Sequence, residues 1–245
     1  MIRFFADAYQ FNGVPVAMDE IDFDAVALEV RTALEETWGK RAAATTASAK
    51  TAKQKKEENH LFLVLDKDTC GVPWESMPIL RRRSVSRIPS LAFLQDRLAM
   101  LKAGKQAQDG SMLLDVKKTF YVLNPGGDLK RSEERFLPWL QRRENALGWK
   151  GISSREPFGS EFSDALSSND LLMYFGHSGA EQFVRPQALK RLQSCAVTML
   201  WGCSSGVLLE HGEFDRTGTP FNYMMAGCNA LVANLWDLTD RELDN

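Results

Sequence analysis

The stretch "DLLMYFGHSG", Asp170 to Gly179, decides the architecture of this 245-residue chain. Its apolar residues follow one another without polar alternation, and the run then stops at a glycine and a histidine. A run this short and unalternating suits a strand covered on both faces, as in a parallel sheet. Four other runs share its character: "HLFLVLD" from His60, "TFYVLNP" from Thr119, "AVTMLWG" from Ala196 and "ALVANLWD" from Ala230. Between them lie segments with helical spacing, "SLAFLQDRLAMLKAG" from Ser90, "RSEERFLPWLQRREN" from Arg131 and "RPQALKRLQS" from Arg185. Pro138 is expected to kink or interrupt the second of these. Strands alternating with helical connections predict an α/β fold, a mostly parallel sheet with helices on both faces.

Upstream, "DFDAVALEVRTALEETWGK" (Asp22 to Lys40) sets Val26, Leu28, Val30, Leu34 and Trp38 near helical spacing and predicts an amphipathic helix. The Ala-, Thr- and Lys-rich residues from Arg41 to Asn59 contain no large apolar side chain and read as a solvated insert. The expected division is therefore a helical N-terminal segment over 1–59 and the main domain over 60–245.

Composition narrows the function classes only a little. With 44% apolar and 25% charged residues the chain is close to the average for soluble domains, so both an enzyme and a binding module fit. A net charge of −2 offers no basic excess for a nucleic-acid footprint. The cluster "LRRRSVSR" from Leu80 reads as a solvated loop or helix end, with an acidic partner as the alternative. No apolar run reaches the roughly 20 residues that cross a bilayer, and the N-terminus lacks a signal-peptide core; the expectation is a soluble intracellular chain. Cys70, Cys195, Cys203 and Cys228 show no C-x-x-C pairing and are joined by only three histidines, which argues against a disulfide framework or a structural zinc site.

Open α/β sheets place their sites at the carboxyl ends of the strands. Here those ends read "GHSG", "GCSSG" and "WDLTD". Consecutive strands of a parallel sheet are often neighbours, which brings His177 and Cys203 towards each other across 26 positions of chain. A cysteine beside an imidazole forms a nucleophilic thiolate near neutral pH. Gly202 and Gly206 allow a sharp turn, and the amides of Cys203 and of Ser178 and Gly179 are candidate donors to an oxyanion. Taken singly, His177 reads as a satisfied strand-end residue and Cys203 as a small buried packer. "GCSSG" also satisfies G-x-S-x-G, which would make Ser204 the nucleophile of a serine hydrolase. That reading needs a later histidine, and His211 lies only seven residues beyond Ser204. Asp237, Asp240 and Asp244 offer carboxylates for a cationic substrate side chain, or alternatively a helix cap and its acidic first turn.

From about His60 onward the chain resembles the protease domain of the separase family, caspase-like cysteine endopeptidases that open cohesin at anaphase. The resemblance rests on "VPWESMP" (Val72 to Pro78), "RSVSRIPS" (Arg83 to Ser90), "VLNPGGDL" (Val122 to Leu129), "YFGHSGAEQF" (Tyr174 to Phe183), "GCSSG" (Gly202 to Gly206), "GTPFNYMMAGC" (Gly218 to Cys228) and "VANLWDLTD" (Val232 to Asp240). It implies a caspase-like sheet, Cys203 as nucleophile, His177 as general base, and an oxyanion hole from Ser178, Gly179 and Cys203. It further implies cleavage after arginine in the kleisin subunit of cohesin, with Asp244, Asp240 and Asp237 receiving the arginine. Inhibition by a securin-like partner, action in the nucleus, cytoplasm and at the mitotic spindle, and no metal or cofactor also follow from it, as does a further helix and sheet edge beyond Asn245. A catalytically impaired fragment that only binds securin or another partner is the alternative.

One departure from the family pattern carries a structural expectation. The family usually reads His-Gly-Ser-Gly where this chain has His177-Ser178-Gly179-Ala180. A left-handed backbone at Ser178 would then cost about 1 kcal/mol or more. "NPGGDL" is expected to supply a turn and the start of a helix, with Asp128 as its cap. Trp74 and Glu75 are expected to pack a loop, Glu75 with a substrate-facing role as alternative, and Met199 and Trp201 to belong to the core.

Overall fold

Residues Thr119–Leu123, TFYVL, alternate their side chains between two apolar layers, so both faces of this strand must be covered. A computed structural model of the chain describes residues 22, 24–26, 28–33, 35–36, 60–103 and 114–237. They fall into two compact units, one comprising Met1–Leu65 with Val72–Ile88 and the other Asp66–Gly71 with Pro89–Asn245.

In the first unit, β1 (Leu61–Leu63) pairs in parallel with β2 (Val85–Arg87). The "HLFLVLD" run is thus a strand, but it belongs to a separate two-stranded sheet among the described residues and not to the main one. Its residues show the cost of that position: Phe62 and Val64 remain 45% and 48% exposed, where a central strand would be covered. The carboxylate of Glu75 takes two hydrogen bonds from Arg87, at 2.6 and 2.7 Å. Burial raises the Glu75 pKa and the Arg87 bonds lower it, with a net fall. Residues 24–26, 28–33 and 35–36 are helical, with Asp22 Oδ1 accepting the N–H groups of Asp24 and Ala25 as an N-cap does. Val26, Leu28 and Val30 of the expected apolar stripe are exposed. Leu34, Trp38 and the 41–59 insert lie outside the described residues.

The second unit holds a five-stranded parallel sheet in the order β4-β3-β5-β6-β9, from β4 (Lys150–Ser153), β3 (Thr119–Leu123), β5 (Leu171–Phe175), β6 (Val197–Leu200) and β9 (Leu231–Ala233). Its helices are α1 (Leu91–Ala103), α2 (Lys130–Leu147), α3 (Gly159–Ser168), α4 (Pro186–Leu189) and α5 (Thr219–Met225). Val122, Leu172, Tyr174 and Leu200 point into a core shared with Phe162 and Leu166 of α3, Leu189 of α4 and Tyr223 of α5. Tyr121, Leu123 and Met173 point the other way, onto Leu140 of α2, with Phe136, Leu137 and Trp139 packed around them. Helices therefore do cover both faces.

Three sequence expectations change. The sheet gains β4, whose "KGIS" is too short and polar to stand out; Gly151 is there because a Cβ would strike the ring of Tyr121 on β3. α2 runs through Pro138 without interruption. That residue is on the exposed side, so the carbonyl it leaves without an amide donor faces water. An antiparallel pair, β7 (Leu209–His211) and β8 (Phe214–Thr217), is inserted between β6 and α5.

The strand order also fixes where a site can be. The chain leaves β3 for β4 on one side and then crosses back to β5 on the other. The crevice between the carboxyl ends of β3 and β5 is the topological switch point of the sheet.

Candidate active site

β5 ends at Phe175 and the chain turns through Gly176, His177 and Ser178. Hydrogen bonds hold this turn from below: the buried hydroxyl of Tyr174 donates to the His177 carbonyl at 2.8 Å and accepts from Gln182 Nε2 at 3.0 Å. Burial pushes the Tyr174 phenol pKa well up, so it stays protonated and remains a donor. Ser178 has φ 52°, in the left-handed region, where a Cβ is strained and glycine is not. The strain expected from the replacement of the family's glycine is therefore present.

β6 ends at Leu200, and Trp201 donates its N–H to the Tyr174 carbonyl at 2.9 Å, extending the β5–β6 pairing towards the site. At Gly202 the two strand ends abut. A Cβ there would fall 2.7 Å from Gly176 O and from Ser178 N, and closer still to Ser178 O. Only glycine lets the backbones meet so closely, and the contact sets Cys203 beside the turn that carries His177. Cys203 is half-buried and the His177 ring is exposed.

The turn after Gly202 is clamped by the chain leaving β9. Ser205, 2% exposed, donates to the Leu200 carbonyl at 3.0 Å and accepts the Asn234 N–H at 3.1 Å. Asn234 Nδ2 donates to Gly202 O at 3.1 Å, and the Gly206 N–H donates to Asn234 O at 2.7 Å. Asn234, the polar residue inside an otherwise apolar run, is a structural member of the site that sequence reading passed over.

Ser204 is placed differently from Cys203. Its hydroxyl donates to Asp237 Oδ1 at 2.6 Å. His211 sits on the β7–β8 hairpin, with its Nε2 2.7 Å from Thr217 Oγ1. The imidazole that a serine nucleophile would need is thus engaged elsewhere. Asp237 is the one member of the acidic trio within the described residues; Asp240 and Asp244 lie outside them.

The three candidate oxyanion donors are placed differently. The N–H of Gly179 donates to Glu181 Oε2 at 2.8 Å, and Thr219 Oγ1 bonds the other oxygen of the same carboxylate at 2.5 Å. Gly179 is buried and its amide is engaged by that carboxylate. Ser178 and Cys203 remain as candidates.

Asp128 is likewise not where its sequence suggested. Leu129 occupies the N-cap of α2, and Asp128 Oδ2 lies 2.7 Å from His177 Nε2. The hydrogen bond from His177 is the largest influence on Asp128 and holds its carboxyl below the usual range.

Comparison with known proteins places the chain in a family. The model of the separin protease domain matches residues 1–243. The chain belongs to the separin protease-domain family. The separin of Emericella nidulans is 42% identical over 244 residues, and that of Schizosaccharomyces pombe 41% over 246, each alignment covering 100% of this chain. The mouse separin is 42% identical over 185 residues, 76% of this chain. The chain spans 11% and 12% of the two fungal relatives, so it corresponds to a small part of their length. Crystal structures of the Saccharomyces cerevisiae separase–securin complex superpose on 99% of the chain at 30% identity, with TM-scores of 0.69 and 0.70. The separin fold accounts for the parallel sheet and its flanking helices.

Proposed function

We propose that this separin-family chain is a cysteine endopeptidase that cleaves after arginine, with Cys203 as nucleophile and His177 as general base. The observation that carries the reading is the abutment of Gly202 on the Gly176–Ser178 backbone, which sets the thiol and the imidazole on touching strand ends. In this mechanism His177 takes the proton from Cys203 Sγ, and the sulfur attacks the carbonyl carbon of the scissile bond. The negative charge on the carbonyl oxygen is met by the N–H groups of Ser178 and Cys203. The imidazolium then gives its proton to the leaving amine as the C–N bond breaks, and water hydrolyses the thioester with His177 again as base.

The substrate in this reading is the kleisin subunit of cohesin, the enzyme acts in the nucleus and cytoplasm and at the mitotic spindle, and the arginine is received by the acidic residues Asp237, Asp240 and Asp244. A securin-like chain is the proposed inhibitory partner; the structural neighbours being separase–securin complexes supports it. Cleavage of an arginine-containing kleisin peptide tests the proposal. Cys203→Ser and His177→Ala should each abolish turnover with the fold intact, and Ser204→Ala should retain it. Full activity in Cys203→Ser would sink the reading.

A further inference from the structure

The motif "NPGGDL" matched the family without acquiring a chemical task, and the structure gives it one. Asn124, 1% exposed, adopts φ 47° and donates its N–H to Phe175 O at 2.8 Å, tying the loop after β3 to the end of β5. Its side chain then organises the loop in both directions: Oδ1 accepts the Leu129 N–H at 2.8 Å and Nδ2 donates to Glu133 Oε2 at 2.6 Å. Glu133 also accepts the Ser154 hydroxyl from beyond β4, and these bonds hold its carboxyl below the usual range, so it stays an acceptor. Gly127, at φ 74°, closes the turn by donating to Asn124 O at 3.1 Å. At Gly126 a Cβ would approach Asp128 Oδ1 to 3.0 Å, so the bare backbone leaves that carboxylate its place. A buried asparagine, which tolerates the left-handed region, bonded on both sides of its side chain fixes the loop and with it the position of Asp128 across the switch point from His177.

An ionised carboxylate only accepts hydrogen bonds, so the His177 nitrogen facing Asp128, Nε2, must carry the hydrogen. In the neutral ring Nδ1 then holds the lone pair. We propose that Asp128 is the positioning residue of this site, its carboxylate holding the His177 imidazole in the Nε2–H tautomer and so presenting Nδ1 to take the Cys203 proton. The inference rests on the reading of Cys203 and His177 given above. It adds a third side chain, contributed by the loop after β3, and it makes Asn124, Gly126 and Glu133 the support of that side chain. Both partners are more than half exposed, at 55% and 58% of their side chains, so water partly replaces the bond when it is lost. The effect is accordingly smaller than for a buried aspartate–histidine pair.

The test uses the whole chain labelled with 15N-histidine, whose three histidines are assigned by substitution. Long-range 15N–1H spectra report the ring tautomer, and peptide cleavage gives kcat and KM. Asp128→Ala should lower kcat about 10- to 100-fold with KM within about twofold, and should shift His177 away from the Nε2–H form. Asp128→Glu should restore part of both, and Gly126→Ala, which only crowds the carboxylate, should move both in the direction of the alanine variant. An unchanged tautomer in Asp128→Ala, or an unchanged kcat, overturns the proposal. Retained activity in His177→Ala would instead remove the reading of the base, while the wild-type spectrum would still show whether Asp128 holds the ring.

Discussion

Replacing Gly202 with alanine isolates the contact on which the site depends. The three heavy atoms nearest the new methyl carbon are all backbone: Gly176 O and Ser178 N at 2.7 Å, with Ser178 O nearer still, whereas side-chain β-carbons essentially never approach other heavy atoms below 3.0 Å. No flexible side chain is there to move aside, so the ends of β5 and β6 must part by several tenths of an ångström at least. Overpacking of this kind costs about 1–3 kcal/mol of stability. Displacement of reacting groups by about 1 Å lowers a catalytic rate on the order of 100-fold. The substitution should therefore produce a folded chain whose activity falls much further than its stability. Urea denaturation gives the first quantity and turnover of an arginine peptide, at a temperature where the variant is fully folded, gives the second. Wild-type turnover in Gly202→Ala would show that the strand ends do not meet as described, and the reasoning that joins Cys203 to His177 would fail with it.

Three further outcomes are expected. Ser178→Gly relieves a left-handed serine and should raise stability by up to about 1 kcal/mol in thermal unfolding, with activity equal to or above the parent. Ser205→Ala deprives the Leu200 carbonyl and the Asn234 amide of their shared buried partner and should cost about 1–3 kcal/mol in chemical denaturation. Glu161 has its pKa lowered to about 2, first by the hydrogen bond from Arg155 and then by the Phe158 N–H. A lowered folded-state pKa means that the contribution is complete above the ordinary carboxylate range and is lost as pH falls through about 2. The stability difference between the parent and Glu161→Gln should be constant from neutral pH down to about 5 and shrink below that, and a difference that grew on acidification would contradict the assignment.

The main sheet was legible in the sequence where strands are covered on both faces, because burial on two sides leaves an unbroken apolar run; β3, β5 and β6 read this way. β9 shows the same apolar run although Val232 on it is exposed. β4 escaped because an edge strand of four residues with Gly151 has little apolar pattern to display. The run at His60 reads as strongly as the others, yet it pairs only with β2. Apolar character reports that a segment is strand-like and not which sheet receives it. Within the candidate site, His177 and Cys203 stand out in the sequence by their chemistry at strand ends, but the residues bonded around them were hidden by their ordinary meanings. Asp128 follows a turn and precedes a helix, where an aspartate is usually a cap; Asn234 looks like a polar interruption of a strand. Both act through long-range bonds, to His177 and to Gly202. Such partners depend on strand order, which local pattern does not encode. Gly179 shows the converse: its sequence position suits an oxyanion donor, and in the structure its amide bonds Glu181, two residues on.

The central claim is that the sulfur of Cys203 is the reacting atom. Labelling the chain with an arginine-based acyloxymethyl ketone and locating the adduct by peptide mass spectrometry tests it directly. The label should fall on Cys203, persist in Ser204→Ala, and be lost in Cys203→Ala and strongly slowed in His177→Ala. An adduct on any other residue, labelling that survives Cys203→Ala, or modification of Ser204 by a fluorophosphonate would contradict it.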